Sequence, residues 1–130
     1  MIIAIRSDSP AVYIGVLSAG GTEQATRAWE AGRELSTQIL PIIDDLLQSV
    51  DGAISKVEGI IVYQGPGSYT GLRIGISVAN ALAYSNEVPV VGCTGENWLQ
   101  AGVEELQSAD SGRYISPEYG GEVRTTKPRK

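Results

Sequence analysis

The residues with the clearest chemical potential form one stretch, Gly65-Pro66-Gly67-Ser68-Tyr69-Thr70-Gly71-Leu72-Arg73-Ile74-Gly75. Glycines between a strand end and a helix start turn backbone N–H groups toward an anion, so Gly65, Gly67 and Ser68 form a candidate nucleotide-binding set. The established phosphate motifs do not fit. A P-loop places Lys-Ser or Lys-Thr after its last glycine, and here Leu72-Arg73 follow Gly71. A dinucleotide fingerprint needs a third glycine where Thr70 stands. The stretch reads either as an anion cradle or as a tight strand-to-helix connection helped by Pro66.

Elsewhere the chemistry is sparse. The chain has no histidine, which excludes Ser-His and Cys-His nucleophiles, histidine bases and histidine metal sites. Cys93 is the only cysteine, so there is no disulfide framework, and its place after Val88-Pro89-Val90-Val91-Gly92 suits a packed thiol. Asp44 and Asp45 adjoin on a helix, where neighbours point apart, and Glu104 and Glu105 do the same. All four read as a solvated face, and Trp29 and Trp98 as core or rim. No catalytic residue, metal site or cofactor is expected.

The elements around these residues suit one domain. A chain of 130 residues buries roughly two-thirds of its unfolded surface, enough for a core without staples. Its net charge of −5 argues against gripping nucleic acid alone. The basic cluster Arg124, Lys127, Arg129 and Lys130 is either a solvated tail or a minor RNA contact. The N-terminus opens as a strand, with no basic leader or long apolar segment, so the expected location is the cytoplasm, away from membranes.

Apolar runs predict strands at residues 2–5, 11–17 and 24–30, joined as an antiparallel meander. Leu35, Ile39, Ile42, Ile43, Leu46, Leu47 and Val50 recur at helical spacing. That helix, over about 36–50, has Ser36 as N-cap, and Pro41 predicts a kink or a late start. Residues 59–63 form an apolar strand of the kind buried on both faces. A helix over 70–85, a strand over 88–92 and a helix over 96–107 follow, then an irregular tail over 108–130. This order is that of a ribonuclease-H-like lobe, the unit of actin-like ATPases: an α/β fold with a mixed five-stranded sheet.

The helix after the glycine turn carries Gly71, Gly75, Ala79 and Ala83 four residues apart, leaving one face almost without side chains. Glycine inside a helix costs about 1 kcal/mol relative to alanine, so the face implies an unusually close backbone neighbour. That neighbour is the chain's own sheet or first helix, or a partner subunit.

Residues 65–75 are nearly identical to Gly-Pro-Gly-Ser-Phe-Thr-Gly-Leu-Arg-Ile-Gly, the signature of the TsaB (YeaZ) family, with Tyr69 for phenylalanine. Gly32-Arg33-Glu34-Leu35-Ser36 with Leu40-Pro41-Ile42-Ile43-Asp44 resembles its first helix. Ile3-Ala4-Ile5 with Ser9-Pro10 resembles its opening strand, and Val88–Gly92 its later one. The resemblance covers about residues 1–107. It implies a non-catalytic scaffold or activator in tRNA N6-threonylcarbamoyladenosine synthesis at position 37. The partners implied are a TsaD-like catalytic subunit, met through a shared helical bundle, and a TsaE-like ATPase. Transfer RNA is met only indirectly, and a homodimer is expected when the chain is alone. On that reading Ile39, Ile43, Gly71, Arg73, Gly75, Ala79 and Ala83 are the partner face. Capping of the small-residue stripe wholly by the chain's own elements would overturn the scaffold assignment drawn from it.

Two departures stand out. Where the family carries Asp-Thr-Ser-Thr, this chain has Arg6-Ser7-Asp8-Ser9, and a guanidinium cannot ligate a cation. Asp8, two residues on, is only a partial substitute in a nucleotide site. The family also continues into a second lobe. Here Pro117-Glu118-Tyr119 and Thr125-Thr126-Lys127-Pro128 look like the family's ending joined to the first lobe, so a natural short form is expected. The rival function is a small actin-like nucleotide hydrolase or phosphotransferase using Gly65–Gly71 and Asp8. A peptidase reading lacks the histidines it would need.

Overall fold

The computed structural model describes residues 1–66 and 70–117. Strands β1 (Ile2–Arg6), β2 (Ala11–Leu17) and β3 (Glu23–Glu30) form the predicted meander. Helix α1 (Leu35–Ser49), a short 3-10 turn at Ile54–Lys56, β4 (Gly59–Tyr63), α2 (Thr70–Asn86), β5 (Val90–Cys93) and α3 (Trp98–Leu106) follow. The sheet has the order β3-β2-β1-β4-β5. The meander pairs are antiparallel, while β1 with β4 and β4 with β5 are parallel. This is the mixed five-stranded α/β sheet expected from the element order.

The apolar pattern explains the layering. Along β1, Ile3 and Ile5 meet one core, shared with Leu35, Ile39, Ile43 and Leu47 of α1 and with Leu72, Ile76, Ala79 and Ala83 of α2. Ile2 and Ala4 point the other way, into a core with Ile61, Tyr63, Val91, Cys93 and Trp98, closed by α3. Strands β1 and β4 are sandwiched between helix layers, so nearly every residue in them is apolar and buried. Strand β3 lies at the edge and is mostly exposed; its Glu23, Arg27 and Glu30 discourage further pairing there.

Two local expectations differ from the structure. Ser36 lies inside α1; the N-cap is Glu34, which makes no side-chain capping bond. Thr37 instead donates its hydroxyl to the Glu34 carbonyl at 2.9 Å. The helix does not start late either: Pro41 sits within it and is exposed, its ring facing away from the core.

Residues 107–117, beyond α3, are irregular yet tied down, and the rest of the expected tail, with its basic cluster, lies outside the described residues. Asn80 of α2 accepts a hydrogen bond from the Ile115 amide at 2.8 Å and donates one to the Ile115 carbonyl at 2.9 Å. Gln64 donates to the Ser116 carbonyl at 2.8 Å. Residues 111–117 are thereby drawn across the C-terminal ends of β4 and β5.

Candidate functional site

Strand β1 ends in the sequence that departs from the family pattern, and its three side chains do different things. Arg6 grips Asp8, Nε to Oδ1 at 2.9 Å and Nη2 to Oδ2 at 3.3 Å, while its Cζ lies 3.8 Å over the ring of Tyr63. The hydrogen bond to Asp8 holds the guanidinium pKa above its ordinary value despite partial burial. Asp8 is thus committed to a cation that the chain itself supplies. Tyr63 and Tyr13 each meet Trp98 edge-to-face, at 5.7 and 5.9 Å between ring centroids, an arrangement favoured by the ring quadrupoles. The carboxyl ends of parallel strands, where open α/β sheets usually take ligands, are filled here by the protein's own side chains.

Between Arg6 and Asp8, Ser7 points the other way. It is the one polar side chain among the described residues that is fully buried. Its hydroxyl donates to the Gly71 carbonyl, in the first turn of α2, at 2.7 Å. This bond exists because Gly75 has no side chain: a Cβ there would lie 2.2 Å from Ser7 Oγ and 3.3 Å from Ile5 Cγ2. The close neighbour demanded at Gly75 is therefore the chain's own Ser7, at the end of β1.

That corrects the partner face expected from the sequence. Gly71, Gly75, Ala79 and Ala83 are buried against the chain's own sheet, and Ile39 and Ile43 lie in the same core. All six are buried, although Gly71 and Ala83 each reach the edge of a surface cavity; of that set only Arg73 is exposed. The outer sides of the same helices are what solvent meets. Ser36, Thr70, Arg73, Ile74, Ser77 and Val78 line a shallow cavity of about 410 Å³. It adjoins a second, of about 430 Å³, which shares Thr70 and Ile74 and includes Gly32 and Arg33. Leu40, one turn beyond Ser36, is 50% exposed.

The weak nucleotide set is not assembled in the described residues. Asp8 is bound by Arg6, Gly65 is a buried residue at a φ of 124°, and Gly67 and Ser68 lie outside the described residues. The left-handed backbone at Gly65 is a glycine conformation, which supports the turn reading. Cys93 is buried beneath α3 beside Glu105, 3.7 Å away, and its pKa is pushed up to about 11, by burial first and by Glu105 second. It is a packed thiol rather than a nucleophile. Trp98 is buried, Trp29 is half-buried and donates to Gln38 at 3.0 Å, and Asp44, Asp45, Glu104 and Glu105 are exposed, as expected. Sequence reasoning missed the Ser7–Gly71 bond and the Arg6–Tyr63 contact. The serine beside a glycine-striped helix was the only signal for the first.

Among the described residues no group of three or more potential ligands is placed to hold a metal, and no helix is long and apolar enough to cross a membrane.

Comparison with known proteins agrees with this architecture. Residues 29–117 match the family model described as TsaD, tRNA N6-adenosine threonylcarbamoyltransferase. The tRNA threonylcarbamoyladenosine biosynthesis protein TsaB of Escherichia coli is 38% identical over 60 residues, covering 46% of this chain and 26% of that protein. TsaB of Haemophilus influenzae is 26% identical over 110 residues, covering 85% of this chain and 46% of that protein. The structure of YeaZ from Pseudomonas aeruginosa superposes with a TM-score of 0.65 at 29% identity, over 72% of this chain and 43% of that one. The chain spans less than half the length of the curated relatives it matches. With that model matching more than half of its length, the chain belongs to the TsaD, tRNA N6-adenosine threonylcarbamoyltransferase, family and is similar in sequence and fold to TsaB and YeaZ proteins.

Proposed function

We propose that this chain acts in tRNA threonylcarbamoyladenosine synthesis as a non-catalytic helper that docks a TsaD-type subunit through the outer faces of α1 and α2. The observation that carries the reading is apolar surface on those faces, one exposed leucine beside two half-buried side chains. Leu40 stands out from α1, and Ile74 and Val78 line the adjoining cavity beside exposed Arg73. Interface centres are more apolar than the surface around them and are enriched in arginine. The buried stripe lends no direct contact; it seats α2 so that this outer face is presented. A non-catalytic role agrees with a chain that has no histidine and whose Asp8 is held by Arg6. A TsaE-type ATPase completes the assembly, self-association uses the same face when the partner is missing, and the work takes place in the cytoplasm.

The test is titration of this chain with the TsaD-type subunit of the same organism, followed by a tRNA modification assay. A complex should form; Leu40→Asp should weaken it about ten-fold or more with thermal stability near wild type, and Ile74→Asp should weaken it with a lowered melting temperature, because Ile74 also packs on the core. Wild-type chain that forms no complex would sink the proposal. Tight Mg-ATP binding with turnover by the lone chain would put the hydrolase reading in its place.

A further inference from the structure

At the far end of α2, about 21 Å along the helix axis from Thr70, the surface has a different character. Helix residues Asn80, Ala81 and Tyr84, with Val88 just beyond the helix end, face Arg113 and Tyr114 of the C-terminal segment across an open groove of about 740 Å³. Tyr84 and Tyr114 are 87% and 75% exposed, whereas Tyr13, Trp29, Tyr63 and Trp98 are buried or half-buried. Two phenol rings left in water at one place are not accounted for by the core. Nor is Tyr114 on a loose end: its neighbour Ile115 exchanges two hydrogen bonds with Asn80. Arg113 is exposed and makes no ion pair among the described residues.

A lining of small and aliphatic side chains, two tyrosines and one arginine suits a flat heteroaromatic ring that carries an anionic group. The volume falls in the range of about 300–1,000 Å³ that small-ligand sites occupy. We propose that this groove is a nucleotide site, in which a base stacks on Tyr84 and Tyr114 and a phosphate meets Arg113. Stacking on aromatic side chains tolerates any base, because every base has a π-face. The net charge of −5 opposes a long polyanion, so the ligand is a single nucleotide unit, either free or in a short single-stranded stretch of RNA. Glu87 also lines the groove and opposes any phosphate there, so the arginine has to outweigh it. The site is independent of the partner face, which lies on the other half of α2.

Calorimetric titration of the intact chain with AMP, adenosine and a short oligoadenylate tests the idea. Saturable binding of AMP is expected, weakened about ten-fold by Tyr84→Ala and by Tyr114→Ala. Arg113→Gln should weaken AMP and leave adenosine unchanged. Binding of the oligoadenylate well above that of AMP identifies RNA as the source, and equal binding identifies the free nucleotide. Absence of saturable binding by both AMP and the oligoadenylate overturns the site, as does binding that both tyrosine variants leave intact. If those variants instead weaken capture of the TsaD-type subunit and nothing else, the groove is a protein contact and the nucleotide assignment fails. Because both side chains are exposed, the variants keep the fold, and a failed docking experiment at Ile74 and Leu40 leaves this titration interpretable.

Discussion

Ser7 and Gly75 form one joint from two residues 68 positions apart. The hydroxyl needs the space that a Cβ would take, and the glycine tolerates its helical position because the sheet reaches it. Gly75→Ala should destabilise the protein by about 1–3 kcal/mol, the usual cost of overpacking, and Gly75→Leu by more. Replacing Ser7 by alanine first should remove much of the Gly75→Ala penalty, since the 2.2 Å approach is to the hydroxyl oxygen. Chemical denaturation of the four members of that cycle measures the coupling. Additive effects of the two substitutions would show that the joint is not what excludes a side chain at position 75.

Among the elements, α1 is the one whose sequence argues against itself. Pro41 lacks the N–H that would bond to Thr37, yet the helix runs from Leu35 to Ser49 because Leu35, Ile39, Ile43, Leu46 and Leu47 bury one face against the sheet. Tertiary burial outweighs the local penalty. Since the ring is exposed and packs on no core residue, Pro41→Ala should stabilise the protein by about 2 kcal/mol, the helix gain less the freedom returned to the unfolded chain. A melting temperature that stays level or falls would mean that the proline ring makes a contribution the helix geometry does not account for. Helix α2 packs differently. Its buried side combines the small residues Gly71, Gly75, Ala79 and Ala83 with Leu72 and Ile76, while Arg73 is exposed and Ile74 and Val78 are half-buried toward the outer side.

Across the whole molecule, Asn80 joins the C-terminal segment to the body over 35 positions of sequence. Asn80→Ala should cost about 1–2 kcal/mol and release residues 111–117. Hydrogen exchange at the Ile115 amide should then quicken while β1 and β4 keep their protection. Protection of Ile115 that persists would shift the credit to its apolar contacts with the core.

Strand and helix positions were legible from the sequence alone, because β1 and β4 announce two-sided burial by unbroken apolar runs and α1 by its spacing. The family was legible too, through the Gly65–Gly75 signature. The site was legible only in part. The stripe of Gly71, Gly75, Ala79 and Ala83 states that something must approach closely, and periodicity carries no label for which molecule does so. Only the parallel pairing of β1 with β4, which carries Ser7 under the first turn of α2, decided that the neighbour is internal. In the same way the sequence determined that Arg6 could hold no metal, while the strand ends had to be brought together before its guanidinium could close on Asp8 and Tyr63. Types and spacing along a chain specify what each residue requires; long-range packing decides which partner meets the requirement.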